Sequence, residues 1–382
     1  MKILITVKTY YPYRDGVQSV TQYLAEGLIK QGHTVTVLTS THKNSQNETI
    51  YNGVRIVRFN LQIKHGLYFG DIQYYKKYVK DCASKHDVIV NVCTQNPFTD
   101  LLLPILNELQ LKKVLYLHGM YELEQELKSQ SKNLKSFFHK WWNLFRWGIL
   151  YFYHKKEFKS YDNVIQLHHS DYAVHFFKKY YDLDSEIIEN AADEMFFLEN
   201  ESVFPNEKYF LCVSNYFENK NQKMILESFY KCSFSKEIGL VFIGSFTTKY
   251  YQDLIDFNEN LQSQYGERNV KFLVGIEREI LPKYYCNSLG LVLGSKKEKF
   301  PVVIVEAMAA GIPFISTDVG CVKHLPGGIV VKQGLDMTCA MEKLVYDQEF
   351  AKLLAKRGKE YALDNLRTSI CVAKFDRVLR SR

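Results

Sequence analysis

Apolar residues in this chain come in short bursts separated by polar, helix-spaced stretches. Residues 2–7 (KILITV) read as a buried strand; after the loop KTYYPYRDG, Val17, Val20, Leu24 and Leu28 recur at helical spacing, Gly32 stops the helix, and 33–40 (HTVTVLTS) form the next strand. This is a βαβ unit. Further strands are predicted at 54–60, 87–93, 113–119 and 163–170, with helical or loop segments between them. The pattern then weakens into an acidic stretch, EIIENAADEMFFLENESVFPNEK, and a second series begins, with strands at 209–215, 239–245, 270–275, 289–295, 313–320 and 327–331. Alternating strands and helices imply a parallel sheet covered on both faces. Two such series predict an α/β protein of two Rossmann-like domains, residues 1–188 and 189–365, followed by a helical, basic tail over 366–382.

Within the second series the stretch Glu298 to Gly320 (EKFPVVIVEAMAAGIPFISTDVG) is the most informative. Pro301 suits a helix start, Gly311 a left-handed C-cap, and Pro313 forbids continuation, so a short helix precedes a strand. One charge, Glu306, stands among Val302, Val303, Ile304, Val305, Ala307, Met308 and Ala309, where a carboxylate is costly unless something hydrogen-bonds it. Glu298, in the preceding loop, can face the same crevice at the helix N-terminus. Asn215 and Lys220 fall in another strand-to-helix loop, the kind of position where a helix N-terminus and a lysine converge on an anion. Gly16 sits where the first loop becomes helix and can approach an anion closely, and His118, with Gly119 after it, ends a parallel strand, where ligands bind in open α/β sheets.

Composition changes the picture little. Apolar residues make up 46% and charged residues 24%, an ordinary globular balance, and the net charge of +7 favours anionic partners. The eight cysteines show no C-x-x-C and no histidine cluster at ligand spacing, which reads as reduced thiols in a cytosolic protein without structural zinc. MKILITV is too short an apolar run for a signal peptide, and no stretch is apolar enough to span a bilayer. The absence of G-x-G-x-x-G speaks against a nicotinamide or flavin enzyme. Residues 128–160 are unusual: they hold every tryptophan and eight Lys or Arg against one Glu. On a helical wheel Phe137, Phe138, Trp141, Trp142, Leu144, Phe145, Ile149 and Phe152 share one arc, opposed by His139, Lys140, Asn143 and Arg146, with Trp147 on the polar side. Such a helix either buries its aromatic arc in the core or lays it on an anionic membrane; for the latter, Lys140, Trp141, Trp142, Arg146 and Trp147 are the contact candidates.

These residues together resemble the family 4 retaining glycosyltransferases of the GT-B fold: the Gly-bearing first loop, GHTVTVLT, the strand ending in His-Gly, the Asn215-x-x-x-x-Lys220 loop, and the paired glutamates followed by AMAAGIPFISTDVG. The resemblance implies two domains facing across a cleft and a C-terminal helix packing back on the first. It implies that Glu306 binds the ribose of a nucleotide-diphosphate sugar, that Glu298 stands at the donor sugar, that Lys220 and Gly16 hold the diphosphate, and that His118 lines the reaction centre. The loop residues Lys299, Phe300, Pro301 and Val302 and the strand-end Asn215 complete the expected donor site. Departures are Asn215 where the family often has Arg, Lys299 in place of Gly, Asp15-Gly16 in place of a Gly pair, and Cys321 in place of a second Gly. Lys299 is expected to supply the charge that Asn215 lacks.

The resulting expectation is metal-independent transfer of a sugar to a hydroxyl of a glycan, lipid-linked, in cell-surface polysaccharide or glycolipid synthesis. The enzyme would be cytoplasmic or peripheral on the inner membrane face, with neither cofactor nor nucleic-acid partner. The rival expectations are a non-catalytic nucleotide-sugar-binding protein of the same fold and a synthase acting on soluble sugars or sugar phosphates.

Overall fold

The structure is a computed structural model that describes residues 1–13, 15–42, 45–120, 123, 134–332 and 334–381. The start of the 128–160 stretch, up to residue 133, lies outside the described residues. The chain forms two compact units, Met1–Glu189 together with Cys371–Arg382, and Asn190–Ile370.

The first unit is built on β1 (Lys2–Thr6), β2 (Thr34–Ser40), β3 (Glu48–Tyr51), β4 (Val54–Phe59), β7 (Val88–Val92), β8 (Lys112–Tyr116), β9 (Asn163–Gln166) and β10 (Ser185–Ile187). They line up as β10-β9-β8-β7-β1-β2-β4-β3. All neighbours are parallel except β3 on β4. The antiparallel edge and a separate hairpin, β5 (Leu61–Lys64) with β6 (Leu67–Gly70), are additions to the parallel sheet expected from the sequence, because these short, largely exposed strands carry neither a continuous apolar run nor enough residues for a period-2 signal. Helix α1 (Gly16–Lys30) starts at Asp15, whose carboxylate accepts from the Gln18 N–H, and it buries Val20, Leu24 and Leu28.

The second unit has an all-parallel sheet of β11 (Tyr209–Val213), β12 (Gly239–Gly244), β13 (Val270–Val274), β14 (Ser288–Leu293), β15 (Phe314–Thr317) and β16 (Gly328–Val331), in the order β13-β12-β11-β14-β15-β16. Its inner strands are buried on both faces, so they read as continuous apolar runs.

The helix Thr368–Arg380 completes the first unit. Cys371, Val372, Phe375 and Leu379 are buried, Lys112 Nζ donates to the Val378 carbonyl at 2.6 Å, and Asp376 lies 2.9 Å from His33 Nε2. Close packing here depends on Gly27: a Cβ at that position would lie 2.4 Å from Val372 Cγ2.

Residues 134–158 correct the helical-wheel reading. Helix α3 (Leu134–Gly148) runs into a wider turn at Ile149–Tyr153. The expected apolar arc, apart from half-buried Leu144, faces solvent: Phe137, Phe138, Trp141, Trp142, Phe145, Ile149 and Phe152 are all exposed, as is Tyr153. Of the expected polar side, Trp147 and half-buried Arg146 turn toward the body, whereas His139 stays exposed. Trp147 is only 3% exposed and belongs to the core with Leu150 and Tyr151, so it is not a membrane-contact residue. Arg146 is half-buried, its guanidinium 4.6 Å over the Trp147 ring and against the backbone of Gly66 at the hairpin turn. Core contact therefore follows Trp147, Leu150 and Tyr151, and the aromatic majority is left outside.

The C-terminal helix gives a packing prediction. Gly27→Ala adds helix propensity but drives a methyl into a stiff β-branched neighbour, and should lower stability by roughly 1–3 kcal/mol in urea unfolding. Val372→Ala in the same background should recover part of that loss; no recovery would place the strain elsewhere.

Candidate active site

The second unit gathers its charged groups at the carboxyl edge of its sheet. The loop after β14 leads through Glu298 into helix α7 (Val302–Ala310), which ends at Gly311 with φ 73°, the left-handed cap that glycine adopts without penalty. Helix α7 is apolar and buried, and Glu306 is 1% exposed. An uncompensated carboxylate there would cost several kcal/mol, and the fold compensates it twice. Arg278, from the loop after β13, brings Nη2 to 2.5 Å from Glu306 Oε1, and the buried Tyr285 hydroxyl donates to Oε2 at 2.8 Å. Burial opposes the Arg278 charge, but the attraction and hydrogen bond of Glu306 outweigh it and lift its pKa above the ordinary value. The guanidinium also stacks 4.9 Å over Phe196. Arg278 and Tyr285 were not singled out from the sequence; the available signal was Glu306 itself, whose apolar setting requires a cation and a donor.

A second ion pair joins two neighbouring strand-end loops. After β11 the chain makes a tight turn over Glu218–Lys220, passes Asn221 at φ 55°, and enters helix α5 (Gln222–Tyr230). Lys220 Nζ lies 2.6 Å from Glu298 Oε1, with both side chains largely covered. Lys296 N donates to the Asn219 carbonyl at 2.8 Å, which fastens the same two loops through the backbone. Glu298 therefore already neutralises Lys220, and an anion reaching this lysine competes with a protein carboxylate. Asn215 is occupied structurally: its Oδ1 accepts from Ser245 N at 2.9 Å and its carbonyl from Gln222 Nε2 at 3.0 Å.

The Lys299 carbonyl accepts from Cys321 N at 3.0 Å, and Gly320 lies so close that a Cβ there would be 2.1 Å from it. With φ 55° as well, Gly320 is a position where any side chain is strained. Phe300 is buried and its carbonyl accepts from Asn190 Nδ2 at 2.9 Å, Pro301 caps helix α7, and Val302 is its first residue. The expected donor residues of the second unit thus fall into two clusters, Lys220 with Glu298 and Glu306 with Arg278.

In the first unit Gly16 opens helix α1 with open space around it, while the carboxylate of Asp15 takes one of the helix's leading N–H groups. His118 follows β8, two strands from β1 in the sheet. Cys93, at φ 59°, sits between them: its thiol accepts from the His118 backbone and feels the charge of Asp15, while burial pushes it up to about 12. Burial pushes His118 down to about 4, so the imidazole is neutral at physiological pH. Its Nε2 is buried with no hydrogen-bond partner among the described residues, and its ring packs 4.6 Å from Tyr116. A neutral imidazole can offer a hydrogen bond but no positive charge. Among the described residues, no group of His, Cys, Asp and Glu could hold a metal ion.

Two outcomes follow from these environments. Arg278→Ala, which strands the Glu306 carboxylate, should lower stability by about 2 kcal/mol in urea unfolding, and Glu306→Gln in that background should restore part of it. For His118 the folded value lies below the usual 6.5, so the unfolded chain takes the proton first and stability falls as pH drops from 6.5 to 4. Wild type should lose up to about 3 kcal/mol more than His118→Gln over that interval. Parallel pH curves would exclude a buried neutral imidazole.

Comparison with known proteins places this geometry. Residues 14–194 match the sequence model of "Glycosyltransferase Family 4" and residues 195–361 that of "Glycosyl transferases group 1". A curated relative, N-acetyl-alpha-D-glucosaminyl L-malate synthase of Bacillus anthracis, is 24% identical over 51% of this chain and 53% of its own. The chain spans between 16% and 53% of the length of the curated relatives it matches. Among solved structures, sucrose-phosphate synthase from Thermosynechococcus elongatus superposes with a TM-score of 0.76 at 16% identity, covering 99% of this chain and 98% of that one. Anabaena HepE in complex with UDP and glucose gives 0.73 at 16% identity, covering 100% of both chains. With both halves matched in order and the two-domain fold shared along the whole chain, this protein belongs to the family 4 glycosyltransferases of the GT-B fold.

Proposed function

We propose that this glycosyltransferase moves a sugar from a nucleotide-diphosphate donor to a hydroxyl of a lipid-linked glycan, with retention at the anomeric carbon and without a divalent metal. The observation that carries the donor reading is the convergence of Lys220 and Glu298, 78 residues apart, at the carboxyl edge of the second sheet, directly before the helix that holds Glu306. Anabaena HepE, which shares the fold, is described in complex with UDP-glucose, in line with a nucleotide-sugar donor here.

In this reading the diphosphate draws Lys220 away from Glu298, and the released carboxylate turns to hydroxyls of the donor sugar. Each carboxylate oxygen has more than one lone pair, so Glu306 can accept from a ribose hydroxyl while keeping Arg278 and Tyr285. The acceptor oxygen bonds to the anomeric carbon on the face from which the diphosphate oxygen leaves. The acceptor proton passes to that departing oxygen, and the same-face bond exchange retains the configuration. The negative charge growing on the diphosphate is met by Lys220, by Lys299 and by the N–H groups of helix α7, a preorganised arrangement of the kind that stabilises transition states most. His118 offers its neutral ring to the donor hexose, and Gly16 its N–H to the phosphates.

A thermal-shift panel of uridine, guanosine and adenosine diphosphate sugars should give one clear stabiliser, and transfer from it should fall by about 10²–10³ in kcat/KM in Lys220→Ala. Glu306→Gln should weaken donor binding. Lys299→Ala with unchanged donor affinity and turnover would remove Lys299 from this account, and absence of transfer or donor hydrolysis with every panel member would sink the enzyme reading.

A further inference from the structure

A helix on the surface of a folded domain normally turns its apolar arc inward. Helix α3 and the turn after it do the opposite: Trp147 and half-buried Arg146 face the body, while the aromatic arc led by Trp141, 59% exposed, and Phe145 faces solvent. A run of exposed large apolar residues on consecutive turns is a contact surface in search of a partner. The hairpin β5–β6 enlarges it. Its turn residue Gly66 packs on Arg146, and the cross-strand pairing sets Leu67 and Phe69 on one face with Lys64, all three exposed. The opposite face carries Tyr68, whose hydroxyl donates to the buried carboxyl of Asp100, so the hairpin is held to the domain with its apolar face out.

Charge selects the partner. Over residues 137–160 there are five basic side chains, Lys140, Arg146, Lys155, Lys156 and Lys159, against the single acid Glu157, which lies 3.6 Å from His154. Lys155, Lys156 and Lys159 are exposed, and the hairpin adds Lys64 without any acid over 61–70. A second copy of this face would set lysines against lysines, which disfavours self-association. Indole and phenyl rings flanked by lysines are what the headgroup zone of an anionic bilayer accommodates, the rings entering the acyl boundary and the ammonium groups meeting lipid phosphates. No helix among the described residues is long and apolar enough to cross a membrane. We infer that the outward arc of α3 and the turn after it, with hairpin β5–β6, docks this protein on an anionic lipid surface. The inference deepens the reading of a lipid-linked acceptor and rests on it for its purpose, while the docking itself is measured separately from transfer.

The full chain is floated with vesicles of phosphatidylcholine alone or of equal parts phosphatidylcholine and phosphatidylglycerol, at low and high salt. Wild type should bind the anionic vesicles, weaken with salt, and leave neutral vesicles largely unbound. Trp141→Ser/Phe145→Ser and Lys155→Glu/Lys156→Glu should each reduce the partition coefficient roughly tenfold or more. All four residues are exposed or at the rim of the fold, so melting temperature and donor-induced stabilisation should stay as in wild type. No binding of wild type to anionic vesicles overturns the inference, as does binding that neither double variant weakens. Sedimentation is the remaining check: a wild-type dimer that dissociates in Trp141→Ser/Phe145→Ser, with no vesicle binding, assigns the face to a protein partner instead. Loss of vesicle binding with donor binding intact separates this inference from the transfer reaction.

Discussion

The second unit is organised around the compensation of one buried charge. Glu306 lies in a helix that contributes to the core along nearly its whole length, and its carboxylate is tolerable only because Arg278 and Tyr285 reach it. The pairing ties the loop after β13, the segment leading into β14 and helix α7 into one body, with Phe196 stacked on the open face of the guanidinium. A buried ion pair adds little net stability over an apolar substitute, so its retention makes better sense as a way to hold a carboxylate at a fixed place.

Lys220 and Glu298 follow a different logic. They are partly covered rather than buried, they bridge the loops of adjacent strands, and each holds the other's charge. The pair costs little to exchange for a ligand because neither group would be stranded by it. One cluster is therefore buried and fixed, while the other is partly exposed and exchangeable at low cost. Asn215 adds no charge and locks the loop after β12 to the loop after β11.

The first unit shows how tertiary packing can invert a pattern. Helix α3 is amphipathic by periodicity, and periodicity alone leaves its aromatic arc free to enter a core or to face outward. Packing around Trp147, Leu150 and Tyr151, with Tyr151 bonded to Thr94 at 2.7 Å and to Tyr181 at 2.8 Å, gives the inward side to the other arc. The wider turn at Ile149–Tyr153 carries the helix past this anchor with Phe152 and Tyr153 outside.

Much of the architecture could be read from the chain alone, because strand and helix periodicities, the helix stop at Gly311 and the break at Pro313 are local consequences of backbone geometry. The repeated strand-helix order led to two α/β domains for the same reason: parallel strands need crossovers, and crossovers leave a recurring signature. Short strands such as Glu48–Tyr51 and the hairpin at Leu61–Gly70 were invisible because they are mostly exposed, with no continuous apolar run to mark them, and four residues carry almost no period. The sequence could announce that Glu306 needed a partner but not that Arg278 would be that partner, nor that Lys220 would meet Glu298. Charge pairing between loops is decided by which strand lies beside which, and the facing of an aromatic arc by which residues the core admits; both are long-range outcomes that no local pattern records.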